Sequence, residues 1–160
     1  MSDPISIAAE RPDQPEVVAL LAALDRYLGS LYAPEDNHIL SVEELRAPDI
    51  GFFVARDQGQ AVGTAAFRRM AGEAATGGRA YGEIKRMYVD PSRRGQRLGA
   101  RLLAALEAAL RAESFALALL ETGRDQAEAL KLYTAAGYRE RGPFAGYPDN
   151  GLSLFLEKPL

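Results

Sequence analysis

Three features of the chain predict a mixed α+β domain: helical periodicity gathered near the start, a hairpin pattern in the middle, and strand and helix patterns alternating to the end. Apolar residues spaced three and four apart demand one buried helix face, whereas short apolar runs bounded by turn residues demand a sheet. With 160 residues the chain is long enough to bury a core of its own, and it is expected to form one domain over residues 1–160.

In "PEVVALLAALDRYLGSLY", Val17, Leu20, Leu21, Leu24 and Leu28 recur at helical spacing. "SVEELR" opens a second helix with Ser41 three residues before Glu44, the spacing of a capping box. Between them, "APEDNHILS" is polar, holds Pro34 and reads as a loop. "GFFVARDQGQAVGTAAFRR" is two apolar runs joined at Asp57 to Gln60, with Gly59 free to take a positive φ, so a hairpin is expected.

"YGEIKRMYVD" adds a third strand, and the helix after it, Leu98–Ala112, carries Leu102, Leu103, Leu106 and Leu110 on one stripe. "FALALLET" is apolar enough to be a buried strand. The last helix, "DQAEALKLYTAAG", is expected to start from Asp125 as its cap, with Glu128 three residues on, and to stop at Gly137. "NGLSLFLEK" closes as a strand that sets Leu152, Leu154 and Leu156 against Ser153, Phe155 and Glu157.

Composition excludes several functions. The absence of cysteine removes disulfides, thiolate metal sites and cysteine nucleophiles, and the single His38 cannot build a metal site, so no metal is expected. A formal net charge of −3 argues against tracking a nucleic-acid backbone, which needs a basic face. No apolar stretch approaches the eighteen or so residues of a membrane span, and "MSDPISIAAERPDQPEVV" lacks a basic segment followed by an apolar run. The expected location is the cytoplasm.

Against that acidity, "YVDPSRRGQRLGARLL" packs Arg93, Arg94, Arg97 and Arg101 where a strand gives way to a helix. The first N–H groups of a helix lack intrahelical acceptors and carry about half a positive charge, so this junction suits an anion, with Gly95 and Gly99 allowing close approach and the arginines as an outer shell. Cations at a helix start are mildly unfavourable without a bound anion, which favours phosphate or pyrophosphate as the occupant over a merely solvated basic turn. No Gly-Lys-Ser/Thr and no G-x-G-x-x-G is present, so neither the Walker loop nor the dinucleotide fingerprint applies.

The stretch Arg94-Gly95-Gln96-Arg97-Leu98-Gly99 resembles the Gln/Arg-x-x-Gly-x-Gly/Ala loop of the GNAT superfamily, the acyl-CoA-dependent N-acetyltransferases. "ETGRDQAEALKLYTAAGY" resembles that family's later helix, which ends in Leu-Tyr and then Gly-Phe or Gly-Tyr, and the order of elements agrees over nearly the whole chain. "LETG…Q…LY…GY…F…Y…S" is similar to small bacterial members whose acceptors are generally unassigned.

The resemblance implies a central mixed twisted sheet with splayed parallel strands flanked by helices, and acetyl-CoA as cosubstrate. It implies that Arg94, Gly95, Gln96, Arg97, Leu98, Gly99 and Ala100 hold the pyrophosphate of coenzyme A. It implies that the backbone of Met87, Tyr88 and Val89 pairs with the pantetheine arm as with a temporary strand, the Met87 N–H polarising the thioester carbonyl. Arg97 stands at the family's middle glycine, where a helical φ would let it add charge without any demand for φ above zero. The family's asparagine at the last helix has Gln126 as its nearest amide here.

By the same resemblance, Glu83 matches a catalytic or water-positioning glutamate and Tyr133 a general acid for the departing thiolate. A base is useful because at pH 7 roughly one α-amine in ten, and on the order of one lysine-like amine in two thousand, is neutral. Read from pattern alone, Glu83 fits a solvated strand residue beside Lys85 equally well, and Tyr133 fits an apolar helix face with Ala129 and Leu130. Asn37 and His38, between the early helices, and Tyr147, before the last strand, are further candidates for acceptor contact; a backbone-bonded loop histidine and a packed loop tyrosine are their plainer readings. The expected function is acetyl transfer to an amine of a small molecule or peptide, with a noncatalytic acyl-CoA sensor or regulatory module as the alternative. Neither nucleic acid nor membrane is an expected partner. Homodimers are common in the family, and the sequence shows no self-complementary patch.

Overall fold

The computed structural model describes residues 3–160. Its seven strands lie in the order β1-β2-β3-β4-β5-β7-β6: β1 (Ile5–Ala9), β2 (Ile50–Asp57), β3 (Gln60–Met70), β4 (Tyr81–Val89), β5 (Leu117–Gly123), β6 (Arg139–Arg141) and β7 (Ser153–Pro159). Four α-helices accompany them: α1 (Pro15–Leu31), α2 (Val42–Leu45), α3 (Leu98–Ala112) and α4 (Ala127–Ala135). The sheet is mixed, with β4 and β5 parallel and the pairs β1–β2, β5–β7 and β6–β7 antiparallel. The α+β class expected from the sequence is the one found. The chain divides into two compact units, one of residues up to Phe67 with Lys85–Leu106, the other of Arg68–Ile84 with Glu107–Leu160.

In the first unit, α1 begins with Pro15 in its first turn, where a missing N–H costs nothing, and buries Val17, Leu20, Leu21 and Leu24. Val17, Leu20 and Leu21 join Leu40, Leu45, Phe52 and Val54 in one core, against which Tyr88 packs. The predicted capping box is present: Ser41 Oγ accepts from the Glu44 N–H, and Glu44 Oε1 from the Ser41 N–H, each at 3.1 Å. The hairpin turns on Gln58 at φ 49° and Gly59 at φ 88°, the two positive values of a twist-matched two-residue turn. Unforeseen is β1, which pairs with β2 from Ile5↔Asp57 to Ala9↔Phe53.

In the second unit, β5 pairs with β7 along its whole length, and Tyr81, Leu117, Leu119, Phe144 and Phe155 form the core. Two expectations are corrected here. The residue capping α4 is Gln126 rather than Asp125, with no side-chain cap bond, so the carboxylate one step earlier in the chain does not close the first turn. In β7 Ser153 and Phe155 are buried on one face and Leu156 on the other, whereas Leu152 stands 40% exposed just before the strand. The Ser153 hydroxyl is accommodated by donating to Glu121 Oε2 at 2.8 Å, and Phe155 packs edge-on to Phe144. Among the described residues no helix is long and apolar enough to cross a membrane.

Candidate active site

Within the first unit, β4 ends in a tightly built turn. Asp90 Oδ1 accepts from the Ser92 N–H at 3.0 Å and the Ser92 hydroxyl at 2.9 Å, which holds its carboxyl below the ordinary range and closes a short 3₁₀ turn over Pro91–Arg93. Gly95 then takes φ 89° and Arg97 φ 59° before α3 starts, its first bond running from the Arg101 N–H to the Arg97 carbonyl. The next amides, of Leu98, Gly99 and Ala100, are those an α-helix leaves without acceptors of its own. The expected helical φ at Arg97 is therefore overturned: the arginine adopts the left-handed conformation that a glycine at this position would take without strain.

The four arginines divide. Arg93 is paired with Asp57 and donates to Gln60 Oε1 at 3.1 Å, so it ties the turn to the β2–β3 hairpin. Arg101 donates to Asp3 Oδ2 at 2.7 Å. These two serve the fold rather than the outer shell expected of all four; Arg94 and Arg97 are exposed at the turn. Met87, Tyr88 and Val89 are half-buried at the end of β4. Asn37 and His38 follow a 3₁₀ turn at Pro34–Asp36, where the Lys85 ammonium reaches the His38 carbonyl at 3.4 Å.

Sequence reading missed Arg86. Its side chain is 4% exposed, and Nη1 donates to Asp25 Oδ1 of α1 at 2.6 Å. The available signal was a second long cation beside Lys85 in a strand otherwise read as apolar.

In the second unit, Glu83 is 2% exposed and accepts from the Tyr147 hydroxyl at 2.5 Å. The reading of Glu83 as a solvated strand residue is thus overturned, because the loop before β7 folds back over it. That loop is pinned: Phe144 lies in the core, Tyr147 stacks on Phe155 at 6.3 Å, and the Ala145 N–H donates to Glu73 Oε1 at 2.7 Å. Burial first, then the Glu83 carboxylate, pushes the Tyr147 hydroxyl above its ordinary value, so it remains a donor.

Tyr133 is buried near the end of α4 with its ring edge-on to Tyr138 at 5.8 Å. Burial raises its hydroxyl above the ordinary value, which keeps the proton in place at neutral pH. Gln126 is half-buried at the start of α4, its N–H on the Gly123 carbonyl at 3.1 Å. Farther along, Glu107 is buried and accepts from the Tyr138 hydroxyl at 2.9 Å and the Lys158 ammonium at 2.8 Å, a charge network foreseen by nothing in the helical pattern.

The sheet holds the parallel pair β4–β5, and a glycine-arginine turn leads from β4 into the start of α3. The profile of the Acetyltransferase (GNAT) family matches residues 17–138, and the chain belongs to that family. It is 47% identical over 156 residues to an IAA acetyltransferase of Azospirillum brasilense, covering 98% of each chain. A crystal structure of a proposed acyl-CoA N-acyltransferase from Klebsiella pneumoniae subsp. pneumoniae MGH 78578 shares 39% identity, with 98% of this chain and 97% of that one covered and a TM-score of 0.77. The PaiA N-acetyltransferase of Thermoplasma acidophilum, solved with coenzyme A, has the same fold at 18% identity, with full coverage of both chains and a TM-score of 0.75. The chain is an acetyltransferase.

Proposed function

We propose that the protein, acting as one domain over residues 1–160, moves the acetyl group of acetyl-CoA to the neutral nitrogen of a small-molecule or peptide amine by direct attack. The observation that carries this reading is the turn into α3, where Gly95 and Arg97 are both left-handed immediately before the Leu98, Gly99 and Ala100 amides. Such a turn offers main-chain donors and the positive end of a helix, with Arg94 and Arg97 adding charge at its rim, and this donor set fits a diphosphate. Gln96 adds a further backbone N–H, and Gln126 an amide at the start of α4.

Acetyl-CoA, when bound, supplies the acyl thioester. Met87, Tyr88 and Val89 would present main-chain groups to the pantetheine arm, a role supported by a β4–β5 register whose pairs are Gly82↔Ala118 and Glu83↔Leu119 while β4 runs on to Val89. The Met87 N–H would polarise the carbonyl. Glu83 would take the amine proton as the N–C bond forms, and Tyr133 would give its proton to sulfur as the C–S bond breaks. Asn37, His38 and Tyr147 would line the acceptor's side, and the name of the Azospirillum relative supports a small-molecule acceptor. The cytoplasm completes the proposed setting.

Thiol release measured across a panel of small amines and peptide N-termini tests the reading. Release that depends on an amine supports it, and release indifferent to every amine overturns it. Coenzyme A at a hundred times its Kd is expected to add about 2.7 kcal/mol to stability.

A further inference from the structure

Arg86 has φ 56° in the middle of an extended strand, a conformation disfavoured for any residue with a Cβ. Strain of this kind persists only where the surroundings over-determine it. Here they do: the Arg86 carbonyl accepts from Thr64 Oγ1 at 2.9 Å, Nη1 is bound to Asp25 Oδ1 at 2.6 Å, and Nη2 reaches the Leu21 carbonyl at 3.4 Å. Thr64 is fully buried, and Arg86 Nε is buried with no hydrogen-bond partner among the described residues.

The consequence lies in the peptide that follows. A trans peptide is planar, so its C=O and N–H point in opposite directions, and fixing one fixes the other. The carbonyl gripped by Thr64 shares its plane with the N–H of Met87. We propose that Thr64 and Asp25, holding Arg86 at its carbonyl and its guanidinium, are positioning residues that aim the Met87 N–H for acetyl transfer. This rests on the reading of Met87 given above. It accounts for a left-handed arginine, a buried hydroxyl and an ion pair with α1 by one requirement, the orientation of one peptide.

The test uses the full chain, with kcat from thiol release on the best amine and the Kd of coenzyme A from calorimetry. Asp25→Asn and Thr64→Val are each expected to lower kcat about tenfold or more while Kd stays within about twofold, as loss of a contact made in the transition state requires. The double variant is expected to fall little below the worse single one, because both act on one peptide. Thr64→Ser, which restores the hydroxyl, is expected to rescue the loss seen in Thr64→Val. Asp25 is 49% exposed, so Asp25→Asn decides the matter if Thr64→Val does not fold.

The chain has three methionines, at positions 1, 70 and 87, so ¹⁵N-methionine labelling makes the Met87 amide visible in a sparse spectrum. A Met87 signal identical with coenzyme A and with acetyl-CoA overturns the Met87 reading and this proposal with it. A signal that distinguishes the two, together with a kcat in folded Asp25→Asn within about twofold of wild type, overturns the positioning role alone. A fall in kcat matched by an equal loss of coenzyme A affinity also overturns it.

Discussion

The Tyr147 hydroxyl donates to Glu83 Oε2 at 2.5 Å, joining the loop before β7 to the interior of β4. Glu83 is 2% exposed, so this contact, rather than bulk water, sets the direction of its carboxylate. A hydroxyl that stays protonated through the neutral range acts on that carboxylate as a fixed donor. Tyr147→Phe is expected to lower kcat/KM for the amine by about ten- to 150-fold, about what one hydrogen bond to a charged group is worth. The KM of acetyl-CoA should be unchanged. Steady-state kinetics with each substrate varied in turn checks both halves.

Removing the carboxylate goes further. Glu83→Gln is expected to lower kcat at pH 7 by about a hundredfold or more, the usual scale of a lost general base. The deficit should be larger for lysine-like acceptors than for α-amines, and should shrink as the pH climbs toward the amine's own pKa, where the neutral nitrogen no longer needs a base. A pH–rate profile of wild type and variant on two amines of different pKa is the measurement.

Tyr133 separates activity from stability. Its hydroxyl has no hydrogen-bond partner among the described residues, and burial is the cause of its raised pKa. Tyr133→Phe keeps the ring and its edge-on packing against Tyr138, and is expected to leave stability within about 1 kcal/mol of wild type. The same change should cost about ten- to a hundredfold in kcat if the proton goes to sulfur. Denaturant unfolding and thiol release on one preparation decide it.

Arg97 holds a backbone conformation that suits glycine, at φ 59°. Arg97→Gly is expected to raise stability by about 1 kcal/mol through relief of the left-handed strain, less whatever the freer unfolded chain takes back. It should also raise the KM of acetyl-CoA a few-fold, with a weaker dependence on salt, since one exposed cation is lost from the turn proposed to hold the diphosphate. Thermal unfolding and KM at two ionic strengths test the pair of effects.

Alkali should unfold the protein. Burial is the first cause that raises the hydroxyls of Tyr81, Tyr133, Tyr138 and Tyr147 above the ordinary 10.0, and nearby carboxylates add to it at Tyr81 with Glu73, Tyr138 with Glu107 and Tyr147 with Glu83. For each, the folded state binds its proton more tightly than the unfolded one. The stability this represents is whole below about pH 10, and is lost as the pH rises beyond it and the unfolded chain ionises. Tyrosinate absorbance and far-ultraviolet dichroism followed together should change in one transition for these four residues.

The elements that were legible share a physical property: their signal is local and one-sided. The α1 stripe, the α3 stripe, the Ser41 capping box and the hairpin at Gln58 and Gly59 each depend on residues within a few positions of one another. The two strands that were missed have almost no such signal. In β1 only Ile5 is buried, and β6 is three residues long with none buried, so neither shows an apolar alternation. In β7 the alternation was seen, but both faces hold buried residues, and Ser153 is accommodated by Glu121, which lies 32 residues earlier.

The turn into α3, proposed to hold the diphosphate, is the part of the candidate site whose local form the sequence by itself determined. Its glycine, its arginines and the helix start lie within one short run, and the donors of a helix N-terminus need nothing from elsewhere in the chain. What the arginines do there was a tertiary matter: Asp57 and Asp3, 36 and 98 residues away, claim two of them. The same holds for Glu83 with Tyr147 at a separation of 64 residues, and for Arg86 with Asp25 at 61. Hydrogen bonds and ion pairs act over about 3 Å, so which distant groups meet is decided by the packing of strands and helices, and no spacing along the chain records it.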